Sequence, residues 1–390
     1  MLNLSKVNSA IAKKYSEILA INEENKESLK IYTKSFEDFT KISSENFNEK
    51  IISSEREFRG ALLCEESYNH IKEFKTFSND EEIKTWKEKV LGNRICFAVD
   101  GSQIYPDRHN GFSFGAIQTA YFINYHNAEL KSEKDIDFDI LIPQDSYSEI
   151  SDFNNEINFN RFKAEIEKFI EVIENISNKN YEKTPIGFFD GSFTFSFQKD
   201  PQLKQEYAAL LEKLFKISEL KNIPIIGYID ISLAYNLSNS LKTFFNIAEE
   251  HKISDSKLLK NFLKNWGDRS SFFNYIIKEK NINKIQKIGF CYLKNSSYKA
   301  YPCRIELPTW IYEKGLLDEI IEVILAESLI GNGYPYCIET ADSIAVIKHY
   351  EQEFLQKYLN KHLDKYSLLN IQKSNKSISK SIRRRNQIKF

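Results

Sequence analysis

Two stretches decide how this chain folds: ICFAVDGS, residues 95–102, and PIGFFDGS, residues 185–192. Each is a short β-rich apolar run followed by the same tripeptide, Asp100-Gly101-Ser102 in the first and Asp190-Gly191-Ser192 in the second. An apolar run of this length bounded by a turn signal reads as a buried strand. An Asp directly after it sits at the strand's C-terminal end, where open α/β sheets take their ligands. The Gly lets the backbone turn sharply or approach a ligand closely. A lone Asp-Gly-Ser is ordinary turn chemistry. Two of them, each behind a buried-looking strand, are harder to dismiss as turns. If the strands are neighbours the two carboxylates converge and repel, and a divalent cation removes that repulsion.

Outward from these stretches the chain alternates. FSFGAIQTAYFINYHN (112–127) and FDILIPQ (138–144) suit further strands of a meander. Over 159–174 the period becomes helical, with Phe162, Ile166, Phe169, Ile170 and Ile173 on one face. A helix with Tyr207, Leu210, Leu211, Leu214 and Ile217 follows the second Asp-Gly-Ser, and a third strand starts at Ile223. Residues 246–285 read as a charged helical insertion. Strands return at 288–293 and 303–310, and a final helical stretch over 316–359 is broken by GNGYP. The expected organisation is a helical arm or cap over 1–90, an α/β domain over 91–360 and a basic tail over 361–390.

Bulk numbers exclude more than they assign. Lys plus Arg number 54 and Asp plus Glu 55, so no global positive field coats the protein, and any nucleic-acid contact must use local basic groups. The five cysteines form no CxxC pair and have no His at zinc spacing, which argues against a zinc site and for reduced thiols in a cytoplasmic protein. No run approaches the ~18 apolar residues of a membrane span. From Lys373 onward the tail carries seven basic residues and no acid; it reads either as a contact for DNA backbone or an acidic partner, or as a solubilising end.

A metal site needs more than two acids. Glu165 lies at the edge of the apolar face of the 159–174 helix, with Arg161 four residues earlier to orient it; the alternative is an exposed i,i+4 ion pair. Asp342 lies among Ile338, Ala341 and Ala345, where a carboxylate is costly unless paired or bound to a cation. The alternative there is a half-exposed Asp near a helix N-terminus, favoured by the dipole. Ser102 and Ser192 flank the two aspartates as candidate substrate contacts. His109, near the first motif, reads as a substrate contact or a loop histidine. The order (strand Asp, meander, helical acid, strand Asp, late helical acid) is that of an RNase H-like α/β nuclease, with a mixed sheet flanked by helices and two-metal phosphodiester hydrolysis.

The ordered set AVDGSQ, FFDGSF, WGDRSSFF, CRIELPTW and GYPYCIETADSIAVI resembles the NurA nuclease family over roughly residues 95–350. The resemblance implies a Mn²⁺- or Mg²⁺-dependent DNA nuclease with two ions, a 5′–3′ exonuclease, an endonuclease or both. It implies a homodimer that docks on a HerA-type hexameric ATPase in DNA end resection, with repair or antiviral defence as the setting. Asp100 and Asp190 match the family's metal-binding aspartates and Glu165 its helical acid. The family's late motif often has Ala-His where this chain has Ala341-Asp342, an exchange of imidazole for carboxylate. Asp268-Arg269 and Arg304-Glu306 also look like motif positions. Arg304 reads as a phosphate contact or as a same-face partner of Glu306, and Tyr228 as a site-lining or a core tyrosine. Two other functions compete: an RNase H-like adaptor that docks on a translocase without cutting, and a phosphatase or phosphotransfer enzyme on a similar sheet.

Overall fold

Asn3 accepts a hydrogen bond from the Lys6 amide and starts α1 (Leu4–Phe39) in the computed structural model, which describes residues 2–106, 114–143, 150–194, 200–279, 282–296 and 300–365. The chain continues through α2 (Ser44–Ser53), β1 (Phe58–Leu63), β2 (Ile71–Lys72), α3 (Asp80–Leu91), β3 (Cys96–Ile104), β4 (Gly115–Asn124), β5 (Glu133–Leu141) and α4 (Ile150–Ser177). Next come β6 (Ile186–Asp190), α5 (Pro201–Lys221), β7 (Ile225–Ile229), α6 (Asn236–Phe245), α7 (Asp255–Leu259), β8 (Arg269–Ser270), β9 (Phe273–Glu279), β10 (Ile282–Leu293) and β11 (Cys303–Pro308). The helices α8 (Thr309–Glu313), α9 (Leu317–Ile330), α10 (Tyr336–Ala345) and α11 (His349–Lys365) complete it. His109 and the basic tail from Lys373 lie outside the described residues. Among the described residues no helix is long and apolar enough to cross a membrane.

The chain divides into two units, one of Met1–Val90, Gly191–Phe193 and Ile226–Tyr334, the other of Leu91–Asp190, Thr194–Ile225 and the chain from Pro335. In the first, β1, β9, β10, β11 and β7 pair antiparallel in that order, and β2 pairs β8 beside β10. Its core joins Tyr32, Phe36 and Phe39 of α1 to Leu237 and Leu241 of α6 and to Phe273, Ile276 and Phe290 of the sheet. Asp255 starts α6 although it is wholly buried: its carboxylate accepts the Leu237 and Ser238 amides at 3.0 and 2.9 Å, replacing the water it has lost. Two readings from sequence change here. Residues 1–90 are helical only in part, since β1 and β2 fall among them. Residues 246–285 are not a helical insertion. They hold the five-residue α7, then β8 and β9, because Phe273 and Tyr275 on one face and Ile276 on the other are buried in a sheet where β9 pairs with the distant β1.

The second unit is a mixed α/β layer. β3, β4 and β5 form an antiparallel meander, and β6 returns parallel to β3 after α4. The crossover to β7 begins beside β6, where the Gly187 amide donates to the Pro224 carbonyl at 2.9 Å. Asp200 caps α5 and Pro201 occupies its first turn, so that crossover is marked in the sequence. All five apolar residues on the α4 face are buried, and the Phe169 ring lies 5.2 Å from that of Phe97 on β3. Each such side chain stabilises the helix-on-sheet layer by about 1.5–3 kcal/mol. β5 is the exposed outer strand, and its Asp135 and Asp139 side chains accept the Ile136 and Ile140 amides, which blunts it against pairing with other chains.

Candidate active site

All four carboxylates singled out in the sequence belong to the second unit. β3 and β6 run parallel with Val99 opposite Phe189, so Asp100 and Asp190 take the next, equivalent register position. Equivalent positions on neighbouring strands point to one face, with backbones about 4.8 Å apart. β6 stops at Asp190, as its motif suggests. β3 does not stop at Asp100: its pairing with β4 carries it on to Ile104, so Asp100 is a mid-strand residue. The site therefore opens where β3 loses its partner on the β6 side.

Alternation along β3 assigns the faces. Ser102 lies on the same side as Asp100, and its hydroxyl donates to the Ala345 carbonyl at the end of α10. Gln118, directly across the ladder from Ser102, donates to the same carbonyl at 2.9 Å. These two bonds seat the last turn of α10 over the aspartates. Asp342, three residues before Ala345, is exposed there rather than buried among its apolar neighbours. It lies well inside α10, past the N-terminal turn.

Glu165 arrives from the other face. Gly101 points toward α4, and a Cβ on it would meet Glu165 Oε1 at 2.5 Å and Arg161 Cγ at 3.1 Å. The missing side chain is the space through which Glu165 reaches the strand. Its carboxylate is 3% exposed and accepts from Arg161 Nη1 at 2.7 Å, while the same nitrogen donates to the Gly101 carbonyl at 2.9 Å. The Arg161–Glu165 pair is thus a strut tied to β3 and not an exposed surface pair. The two glycines of the repeated tripeptide do different work. Gly101 leaves room, whereas Gly191 adopts φ +138°, a conformation that L side chains rarely take.

Asp100 and Glu165 each feel the charges of neighbouring acids. Burial pushes the Asp100 carboxyl up to about 6; a hydrogen bond with the Gly101 backbone opposes this, and the charges of Asp190 and Asp342 add to it. Burial pushes Glu165 further, to about 8, against the pull of the Arg161 guanidinium and with the help of Asp100 and Asp190. Such acids favour either a proton or a cation as neighbour. The donors are all carboxylate oxygens, which suits Mg²⁺ or Mn²⁺ better than a thiolate-seeking ion.

The remaining candidates lie in the first unit. Ser192 donates to Glu306 Oε2 at 2.8 Å, and the Phe193 amide donates to the same oxygen at 2.8 Å, so Glu306 holds the loop after the second motif. Arg304 is 2% exposed, and its guanidinium donates to Glu306 at 2.7 Å, to Asn236 at 2.9 Å and to the Tyr292 hydroxyl at 3.0 Å. It is a core pair of β11, as the same-face alternative had it, and presents nothing to a phosphate. Tyr228 is fully buried with its hydroxyl bonded to Asn295, the core-tyrosine alternative. Gln118 was missed by the sequence reading. The signal was a single amide in the apolar run GAIQTAYFI, and its partner on α10 is more than two hundred residues away.

A model of the NurA domain family matches residues 94–347. No curated protein matches the chain. Among solved structures, the catalytic domain of human endonuclease V is similar at 12% identity, covering 75% of this chain and 92% of that one with a TM-score of 0.36. Endonuclease V of Ciona intestinalis, in complex with a 24mer DNA containing an inosine followed by a ribo-adenosine, is 13% identical over 72% of this chain and 100% of that one, TM-score 0.31. The C-terminal lobe of a budding yeast Argonaute is 12% identical over 66% and 48%, TM-score 0.30.

Proposed function

We propose that this chain, which belongs to the NurA family and is a nuclease, hydrolyses DNA phosphodiester bonds at the acid cluster of β3, β6, α4 and α10 with Mn²⁺ or Mg²⁺ as cofactor. The observation that carries this reading is the shared register of Asp100 and Asp190, with Asp342 over the same face and Glu165 rising beneath Gly101.

Asp100, Asp190 and Asp342, with Glu165, would hold the cation, two ions being the usual complement for this chemistry. Bound there, such ions neutralise the carboxylates and stabilise the charge that develops on the attacking and leaving oxygens of a phosphodiester. The chain's own groups do the rest. Asp100, in equivalent register with Asp190, would hold the cation and orient the attacking water through its carboxylate. Arg161 fixes the Glu165 carboxyl against β3 so that it does not swing away from the cluster. Ser102 and Gln118 hold α10, and with it Asp342, at the open face. Ser102 acts here as a positioning residue; a direct contact between its hydroxyl and substrate would require the Ala345 bond to break.

The wider role follows the family: action on single- or double-stranded DNA as a homodimer, beside a HerA-type hexameric ATPase in the cytoplasm, in end resection or in defence against foreign DNA. The test is cleavage of labelled DNA with Mn²⁺ or Mg²⁺ and with EDTA. Asp100→Asn and Asp190→Asn are expected to lower cleavage at least ~10²-fold with unchanged thermal unfolding. Full activity in EDTA, or in either variant, would sink the assignment and favour a non-cutting adaptor.

A further inference from the structure

β3 runs on past the acid cluster. Its parallel pairing with β6 reaches Val99, whereas its pairing with β4 continues to Ile104, and Tyr105 follows at the strand end. At about 3.3 Å per residue, Tyr105 stands roughly 17 Å along the strand from Asp100. Alternation puts Gly101, Gln103 and Tyr105 on the face that meets α4. Asn158, Arg161 and Glu165 follow one another along one side of that helix, at spacings of three and four residues. Strand and helix together lead outward from the cluster: Glu165 under Gly101, then Arg161, then Asn158 at the Tyr105 hydroxyl.

Two features of this path are not explained by packing. Tyr105 is 43% exposed, yet its hydroxyl donates to Asn158 Oδ1 at 2.5 Å and accepts from Gln103 Nε2 at 3.1 Å. A surface ring tied at its tip by two amides is already ordered before anything binds it. Arg161 uses Nη1 for both Gly101 and Glu165, while its Nε is buried without a partner and its Nη2 donates to no described residue. The side chain is 31% exposed, so the guanidinium still reaches solvent. The Tyr207 phenol feels the charges of both Arg161 and Tyr105, which places the two in one neighbourhood.

A preordered ring and an arginine with an unused donor, in line with a cluster of acids, suit a single nucleic-acid strand. Bases stack on such a ring whatever their sequence, and a guanidinium takes the phosphate between them. Bases within a duplex are already stacked on each other and must be unstacked to reach it. We propose that Tyr105 is the platform on which an unpaired base of the DNA strand entering the acid cluster stacks, and that Arg161 Nη2 holds a phosphate between that base and the cluster. This rests on the nuclease reading above and narrows its substrate to strands with unpaired nucleotides on that side of the cut.

The experiment uses the full-length chain in EDTA, so that binding is read without cleavage. Single-stranded DNA carrying 2-aminopurine at successive positions loses fluorescence where that base stacks on a ring. The parent is expected to quench over one restricted region. Tyr105→Ala should abolish that quenching and weaken single-strand binding roughly 5- to 150-fold, with unchanged thermal unfolding. Y105F keeps the ring and should keep the quenching and most of the affinity. Relaxed, covalently closed circular duplex offers no unpaired base, and Y105A should leave its binding unchanged. Replacing one linkage at a time by an uncharged methylphosphonate tests Arg161 without touching the protein. A linkage between the quenched base and the cut, mapped with Mn²⁺, should weaken binding by the parent. Equal affinity at every such linkage would overturn the phosphate contact. Uniform or absent quenching, or Y105A binding like the parent, would overturn the platform. A parent that binds and quenches but cuts with neither Mn²⁺ nor Mg²⁺ would overturn the nuclease reading while supporting the platform.

Discussion

Replacing Gly101 by Ala tests the geometry of the site with one methyl group. The added Cβ would stand 2.5 Å from Glu165 Oε1 and 3.1 Å from both Glu165 Cγ and Arg161 Cγ. Ordinary contact begins at 3.4 Å, so the carboxyl oxygen must retreat by about 0.9 Å. Glu165 is 3% exposed and bonded to an arginine that is itself tied to β3, so the carboxyl has little freedom to yield. Overpacking of this kind costs about 1–3 kcal/mol of stability. A displacement of about 1 Å in a catalytic group costs on the order of 10²-fold in rate. G101A is therefore expected to stay folded and lose about two orders of magnitude in DNA cleavage. E165D shortens the obstructing side chain by one methylene. Each single variant loses activity, and the double G101A/E165D is expected to lose clearly less than the product of the two, a coupling a double-mutant cycle reads directly. Cleavage by G101A at the parental rate, or strict additivity in the cycle, would refute the argument that Gly101 is there to admit Glu165.

Three further outcomes follow from the same geometry. Glu165 binds its proton more tightly folded than unfolded, so in the cation-free protein its contribution to stability should be full below about 4.5 and be lost as pH rises to about 8. E165Q should flatten most of that slope in urea unfolding, and an unchanged slope would place the titration elsewhere. Arg304→Ala leaves Glu306 buried without its partner and is expected to cost about 3–5 kcal/mol in thermal or chemical unfolding; a variant of normal stability with weakened DNA binding would restore the phosphate role. Gln118→Ala and Ser102→Ala together free the end of α10, so the Mn²⁺ concentration needed for half-maximal cleavage should rise by roughly the 10–100-fold seen when supporting partners of metal ligands are removed. DNA binding without the ion should be unaffected, and a loss of DNA binding instead would return Ser102 to the substrate.

Much was decided by the sequence alone, for local reasons. The meander, α4 and its apolar face, α5 with its Asp200-Pro201 start, and the strand before Asp190 are set by periods and caps that act over a few residues. The order of the acids along the chain and the match over 94–347 carry the family in the same one-dimensional way. What only the tertiary structure decided depends on residues far apart in the chain. Pairing with β1 and β2, far earlier in the chain, helped make β9 and β8 out of a charged stretch that reads as helix, because a half-buried strand is defined by its neighbours and not by its own period. The same holds at the site. No pattern in the chain says that Asp100 continues within a strand, that Gly101 is the gap Glu165 fills, or that one carbonyl of α10 is held by both Ser102 and Gln118. Nor does it separate an arginine that meets solvent from Arg304, which a buried glutamate holds inside the sheet. Burial and charge proximity are properties of three-dimensional packing, and they set which carboxylates share a field.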